Sequence, residues 1–137
     1  MTAFLAHPLA VVGSDGNAQP LRERDDRPHP RAFGTFPRIL GRYVRERPVL
    51  TLADAVRKMT SAPAARLGLH DRGVIRDGAV ADLVVFDPAT VRSTATYDAP
   101  RSYPIGIEHV IVGGTPVVDG GVHTGATPGR ALRHGRD

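Results

Sequence analysis

The chain has 137 residues, 41% of them hydrophobic and 23% charged, with a formal net charge of +4 and no cysteine. That is the length of one ordinary domain or of part of a larger one, and the missing cysteines exclude disulfides and thiolate metal ligands within it. Arginine supplies 17 of the 18 basic residues, scattered and without interleaved aromatics, so no nucleic-acid partner is expected, and no apolar run approaches the ~20 residues of a membrane span.

The N-terminal segment MTAFLAHPLAVVGSDG is apolar but lacks a charged leading region, so it does not read as a signal peptide, and a cytoplasmic protein is expected. The apolar run through Val11 and Val12 stops at Gly13-Ser14-Asp15-Gly16, which predicts a buried strand over Ala10–Ser14 with Asp15 at its C-terminal end. A buried strand needs neighbours and cover on both faces. The nine residues before Ala10 cannot supply them, so the chain is expected to begin inside a larger fold. Residues 17–36 read as a long, Pro-rich, charged loop, either functional or disordered, whose aromatic Gly-Thr end points to packing.

A helix is predicted over Arg38–Arg47, with Pro37 in its first turn and Ile39, Leu40, Tyr43 and Val44 on one stripe. Thr51 is placed to cap a second helix with Asp54 as its capping-box partner, and Leu52, Ala55, Val56 and Met59 keep the period. A short third helix, Ala64–Leu67, ends at Gly68. From Gly73 the period becomes that of strands. Ala81–Phe86 is one, and Glu108–Val112 and Thr115–Val118 form a hairpin across Gly113-Gly114. Asp119-Gly120-Gly121 makes the next turn, and a polar tail follows from Thr124. The switch of period places a domain boundary near Gly68–Gly73, dividing the chain into 1–70 and 71–137.

Four runs then matter together: GSDG (13–16), RPHPRAFGTFPRILGRYVRE (27–46), LADAVRKMTSAPAARLGLHDRG (52–73) and GAVADLVVFDPATV (78–91). In this order they closely resemble the C-terminal part of N-acyl-D-amino-acid deacylases, the D-aminoacylases of the metal-dependent amidohydrolase superfamily. The resemblance runs from about Ala10 to Arg133. Its most specific string is HPR-x-[FYW]-GTFPR. It implies an α/β fold: the last strand, long loop and helices of a (β/α)₈ barrel (1–70), then the C-terminal strands of a small β-sandwich domain (71–137). A whole barrel of this type needs roughly 200–250 residues. The family's zinc ligands, an HxH pair, a Cys and later His residues, lie upstream of the matching region. Zinc is therefore implied for the parent enzyme, with no metal ligand in this chain, which is expected to need the upstream barrel segment and to be inactive alone. The loop between Gly16 and Arg27 is longer than the family pattern, and Gly113 stands where Asn is more usual.

The resemblance also implies residue roles. Asp15, at the C-terminal end of a barrel strand, corresponds to the catalytic acid/base, which takes a proton from a zinc-bound water and returns it to the leaving amine. Gly16 gives backbone clearance for substrate. Arg31 corresponds to the partner of the substrate's α-carboxylate, which a planar guanidinium grips through two parallel hydrogen bonds. His29, held between Pro28 and Pro30, either lines the pocket or stabilises the loop. His7, Asp15 and His29 match no compact ligand spacing, and His70, His109, His123 and His134 are scattered. The implied activity is hydrolysis of N-acyl-D-amino acids to a carboxylate and a free D-amino acid. The alternatives are a dihydroorotase- or hydantoinase-like cyclic amidase, against which the HPRAFGTFPR string argues, and a non-catalytic β-rich binding module.

Overall fold

The computed structural model describes residues 2–18 and 27–133. The centre of the predicted long loop, 19–26, and the end of the tail with His134 lie outside the described residues. Helices come first and an antiparallel sheet follows, in the order α1 (Thr2–Ala6), α2 (Arg31–Arg38), a π-helical segment (Ile39–Glu46), α3 (Leu52–Met59), α4 (Ser61–Arg66), β1 (Leu83–Phe86), β2 (Ile107–Val112), β3 (Thr115–Asp119) and β4 (Val122–His123).

Two expectations are corrected at the start. Ala10–Ser14 forms no strand. Backbone groups of a strand must pair with another strand, and here the Val12 N–H donates instead to the Lys58 carbonyl at 3.0 Å. Lys58 grips the same stretch with its side chain. Only 2% exposed, its Nζ donates to the carbonyls of His7 and, at 3.0 Å, Ala10. The sole lysine of an arginine-rich chain thus anchors the segment that leads to Asp15, using a compact head with several donors.

The second correction concerns the loop and the helix after it. Helical backbone starts at Arg31, so residues 31–36 belong to α2, and Pro37 lies inside that helix. A proline there removes one N–H and crowds the preceding turn. Immediately beyond it the helix widens to π geometry over Ile39–Glu46. The N–H of Arg47 closes this segment on Arg42 O at 2.8 Å, an i to i−5 bond.

The other helices follow their signals. Thr51 Oγ1 accepts the Asp54 N–H at 3.1 Å, capping α3. Beyond α4, Leu69 N–H reaches Ala64 O at 2.9 Å and Gly68 N–H reaches Ala65 O at 3.2 Å, the paired bonds of a Schellman ending.

The sheet runs β1-β2-β3-β4 with antiparallel neighbours. Gly113 and Gly114 turn β2 into β3 with φ of +55° and +82°, as a type I′ hairpin requires. Residues 87–106 separate β1 from β2, yet Leu83 faces Ile111 and Phe86 faces Ile107. The intervening segment begins in a tight turn. The Asp87 carboxylate accepts the Thr90 hydroxyl and the Ala89 N–H, both at 2.8 Å. Those two bonds, Thr90 first, hold its carboxyl below the ordinary 3.8, against burial and with help from Arg45.

This turn delivers Val91, fully buried, into a core with Ile39, Leu40, Leu50 and Ala55. Phe86 and Ile107 of the sheet pack on the same cluster, so helices and sheet share it. Arg45 of the π segment donates to Pro88 O at 3.0 Å and Val91 O at 2.8 Å across that contact.

Gly106 closes the arrangement. Its φ is +77°, and a Cβ there would lie 2.6 Å from both Cα and N of Val91. Left-handed backbone costs a non-glycine residue roughly 1–2 kcal/mol, and overpacking adds about 1–3 kcal/mol. Gly106→Ala is therefore expected to destabilise the chain by roughly 2–5 kcal/mol, with Gly129→Ala, where a Cβ meets open space, as the neutral control. Urea unfolding of both variants checks this, and equal midpoints contradict it.

Candidate functional site

Asp15, Gly16, His29 and Arg31 line one pocket of about 170 Å³, together with Asn17, Pro28 and Ala32. The four residues singled out from sequence are thus brought together, although the strand expected to carry Asp15 is absent.

Asp15 is the one described non-glycine residue with positive φ, +49°. Asp tolerates this left-handed conformation better than most side chains. The turn is fixed by Ser14 Oγ, which accepts the Gly16 N–H at 3.2 Å. Gly16 then passes against the start of α2 so closely that a Cβ would lie 2.8 Å from Ala32 Cα. Only a residue without a side chain fits there. Gly16 lets the Asp15 turn approach the first turn of the helix that carries Arg31.

Arg31 reaches back across the pocket. One of its guanidinium nitrogens lies 3.0 Å from Asp15 Oδ2, with the two side chains 45% and 85% exposed. An ion pair this exposed contributes about 0–1 kcal/mol. It is a weak, exchangeable contact, and either partner can take a better-placed ligand.

His29 is held on both sides. Its Nδ1 accepts the Arg31 N–H at 3.0 Å, and its Nε2 lies 3.0 Å from the Tyr97 hydroxyl. The two rings meet edge to face, with centroids 5.1 Å apart at 81°. His29 therefore both lines the pocket and fixes the loop. Tyr97 is the residue that sequence reasoning missed. It sits in the irregular stretch between β1 and β2, with no spacing or motif to join it to His29. Asn17, Pro28 and Ala32 were also unmarked, but they flank marked residues.

Chemically, the pocket offers a carboxylate able to accept and return a proton, beside a guanidinium able to bind an anion. Among the described residues no group of three or more His, Cys, Asp or Glu side chains could hold a metal ion. The remaining histidines stand apart from the pocket where they are described: His109 pairs with Asp119 at 2.9 Å, and His123 accepts the Gly125 N–H at 2.9 Å. No helix among the described residues is long and apolar enough to cross a membrane.

Comparison with known proteins adds to this geometry. Residues 1–118 match the model of the Amidohydrolase family. The chain is 48% identical over 129 residues to a D-aminoacylase of Alcaligenes xylosoxydans xylosoxydans, covering 94% of this chain and 26% of the relative. It superposes on a solved D-aminoacylase described as having a binuclear metal centre, with a TM-score of 0.83 and 45% identity over 91% of this chain and 25% of that one. It also superposes on an N-acyl-D-glutamate deacylase of Bordetella bronchiseptica, solved with zinc and a phosphonate mimic of the tetrahedral intermediate. There the TM-score is 0.77 and the identity 48%, over 85% of this chain and 23% of that one. The chain thus spans about a quarter of the length of these relatives. Its own described residues do not fit a metal centre like theirs. Among the described residues Asp15 is the pocket's one carboxylate, it is paired with Arg31, and both ring nitrogens of His29 are already bonded.

Proposed function

The chain belongs to the amidohydrolase family, and from that premise we propose that it carries the acid/base and carboxylate-binding part of an N-acyl-D-amino-acid deacylase site. The observation that carries this reading is the meeting of Asp15 and Arg31 at 3.0 Å in one pocket, in a chain nearly half identical to a D-aminoacylase. In the substrate-free pocket the carboxylate held by Arg31 is that of Asp15. The α-carboxylate of an N-acyl amino acid takes its place, because it can accept two parallel hydrogen bonds from the guanidinium. Asp15, released, accepts a proton from the water that adds to the amide carbonyl. It then returns that proton to the nitrogen as the C–N bond breaks, leaving a carboxylate and a free amino acid. Gly16 lets the Asp15 turn pack against the start of α2, and His29 holds the backbone of Arg31.

The resemblance to D-aminoacylases implies the division into a barrel part, 1–70, and a β-sandwich part, 71–137, and this belongs to the same proposal. So does a cytoplasmic location. The reaction needs the segments that the relatives have and this chain does not match, their metal centre included.

The test is a hybrid enzyme in which this chain replaces the matching quarter of the Alcaligenes D-aminoacylase. The hybrid is expected to hydrolyse N-acetyl-D-amino acids, while the purified 137-residue chain supplied with zinc shows no turnover above a protein-free blank. A folded, metal-loaded hybrid without activity counts against the reading, as does turnover by the chain alone.

A further inference from the structure

We infer that Tyr97 is a positioning residue for Arg31, acting through the imidazole of His29. Three contacts in series carry it: the Tyr97 hydroxyl on His29 Nε2 at 3.0 Å, His29 Nδ1 on the Arg31 N–H at 3.0 Å, and the Arg31 guanidinium on Asp15 at 3.0 Å. They join the segment between β1 and β2 to the pocket, across a sequence separation of 68 residues between Tyr97 and His29.

The chemistry of imidazole fixes the direction of each bond. The Arg31 N–H can only donate, so Nδ1 must offer its lone pair. The proton of the neutral ring then sits on Nε2 and is donated to the Tyr97 oxygen. A histidine side chain with one ring nitrogen free can rotate about its χ angles and withdraw the other. The Tyr97 hydroxyl and the edge-to-face ring contact at 5.1 Å hold the imidazole where Nδ1 faces the first N–H of α2. That N–H has no acceptor within its own helix. Its capture by His29 sets the backbone of Arg31, and hence the point from which the guanidinium reaches into the pocket.

The segment bearing Tyr97 is itself anchored. Thr94 Oγ1 bonds Ser102 Oγ at 2.8 Å and Tyr103 O at 2.6 Å, and the Thr96 N–H donates to Ala99 O at 3.1 Å. The backbone on either side of Tyr97 is thus hydrogen-bonded, while its ring is 72% exposed and meets His29. This inference rests on the proposed role of Arg31 for its effect on substrate, whereas the coupling of Tyr97 to Arg31 stands on the contacts alone.

The experiment is Tyr97→Phe in the 137-residue chain, which keeps the ring and removes the hydroxyl. Hydrogen exchange of the Arg31 amide is expected to speed up about two- to tenfold, the worth of one exposed hydrogen bond. The His29 Nε2 nitrogen resonance should shift with it, while amides of the buried core, such as Ala55, keep their rates. A purely packing role for Tyr97 would leave the Arg31 amide and the Nε2 resonance unmoved, and that result overturns the inference. A second variant guards against global effects. In His29→Asn the side-chain carbonyl can still accept the Arg31 N–H, as in an Asx turn, but cannot reach Tyr97. In that background Tyr97→Phe should have no further effect on the Arg31 amide, and an undiminished effect also overturns the coupling. In the hybrid enzyme Tyr97→Phe should raise KM and leave kcat unchanged. A faster Arg31 amide with an unchanged KM upholds the coupling and counts instead against Arg31 as the carboxylate ligand.

Discussion

Asp15→Asn is expected to lower kcat of the hybrid enzyme by about 10²–10⁴-fold, the usual worth of a positioned general acid/base. The substitution isolates the chemistry because it changes little else. Asparagine has nearly the same shape and is at home in the left-handed backbone that Asp15 occupies at φ +49°. The Ser14–Gly16 bond that fixes the turn does not involve the side chain of residue 15. The ion pair with Arg31 is lost, but it is largely exposed and holds little stability. Metal content and the unfolding midpoint should therefore match those of the unsubstituted hybrid. Asp15→Ala is a poorer probe, since it adds backbone strain to the lost proton acceptor. A kcat for Asp15→Asn within about threefold of the parent, far inside the expected range, means that the proton is handled elsewhere.

Signals that act within a few residues were legible in the sequence. Thr51 caps α3 because its oxygen needs only the N–H three residues on, and Gly113-Gly114 makes its hairpin because both residues need positive φ. The expected strand at Ala10–Ser14 was not formed, since an apolar run states only that a segment is to be covered. Here Lys58 supplies the backbone partners, and the run itself stays partly open, with Val11 49% exposed. The π-helical widening at Ile39–Glu46 has no composition of its own. Its stripe of Ile39, Leu40, Tyr43 and Val44 reads the same in an α-helix, and Pro37 reads as a first-turn proline because nothing local in the sequence marks the helical backbone that starts at Arg31. For the pocket, the resemblance marked Asp15, Gly16, His29 and Arg31, and all four line it. Tyr97 was illegible because its partner is fixed by tertiary packing alone. Lys58 did leave a trace: one lysine among seventeen arginines, at a site that needs a compact donor rather than a fork.

Arg31→Ala is expected to lower kcat/KM of the hybrid by about 30- to 1,000-fold. A hydrogen bond to a charged group is worth roughly 1.5–3 kcal/mol, and the second bond of the bidentate contact adds less than the first, for about 2–4 kcal/mol in all. The α-carboxylate takes no part in the bond changes at the amide. The contact therefore holds ground and transition states alike, and its loss falls mainly on KM. Arg31→Lys should restore little of it, because an ammonium supplies a point charge without the planar fork. Asp15 is left without its substrate-free partner in Arg31→Ala, yet it keeps its turn through Ser14 and Gly16, so kcat should fall far less than in Asp15→Asn.

The most direct measurement of whether Asp15 and Arg31 act together on a carboxylate-bearing amide compares two substrates in two enzymes. One substrate is an N-acetyl-D-amino acid, and the other carries a neutral carboxamide in place of the α-carboxylate. The hybrid with Arg31 intact should prefer the carboxylate by about 30- to 1,000-fold in kcat/KM, and Arg31→Ala should abolish most of that preference by losing activity on the carboxylate alone. Equal preference in both enzymes would contradict the account: Arg31 would then be a surface arginine that happens to meet Asp15, and the substrate carboxylate would be held by other residues.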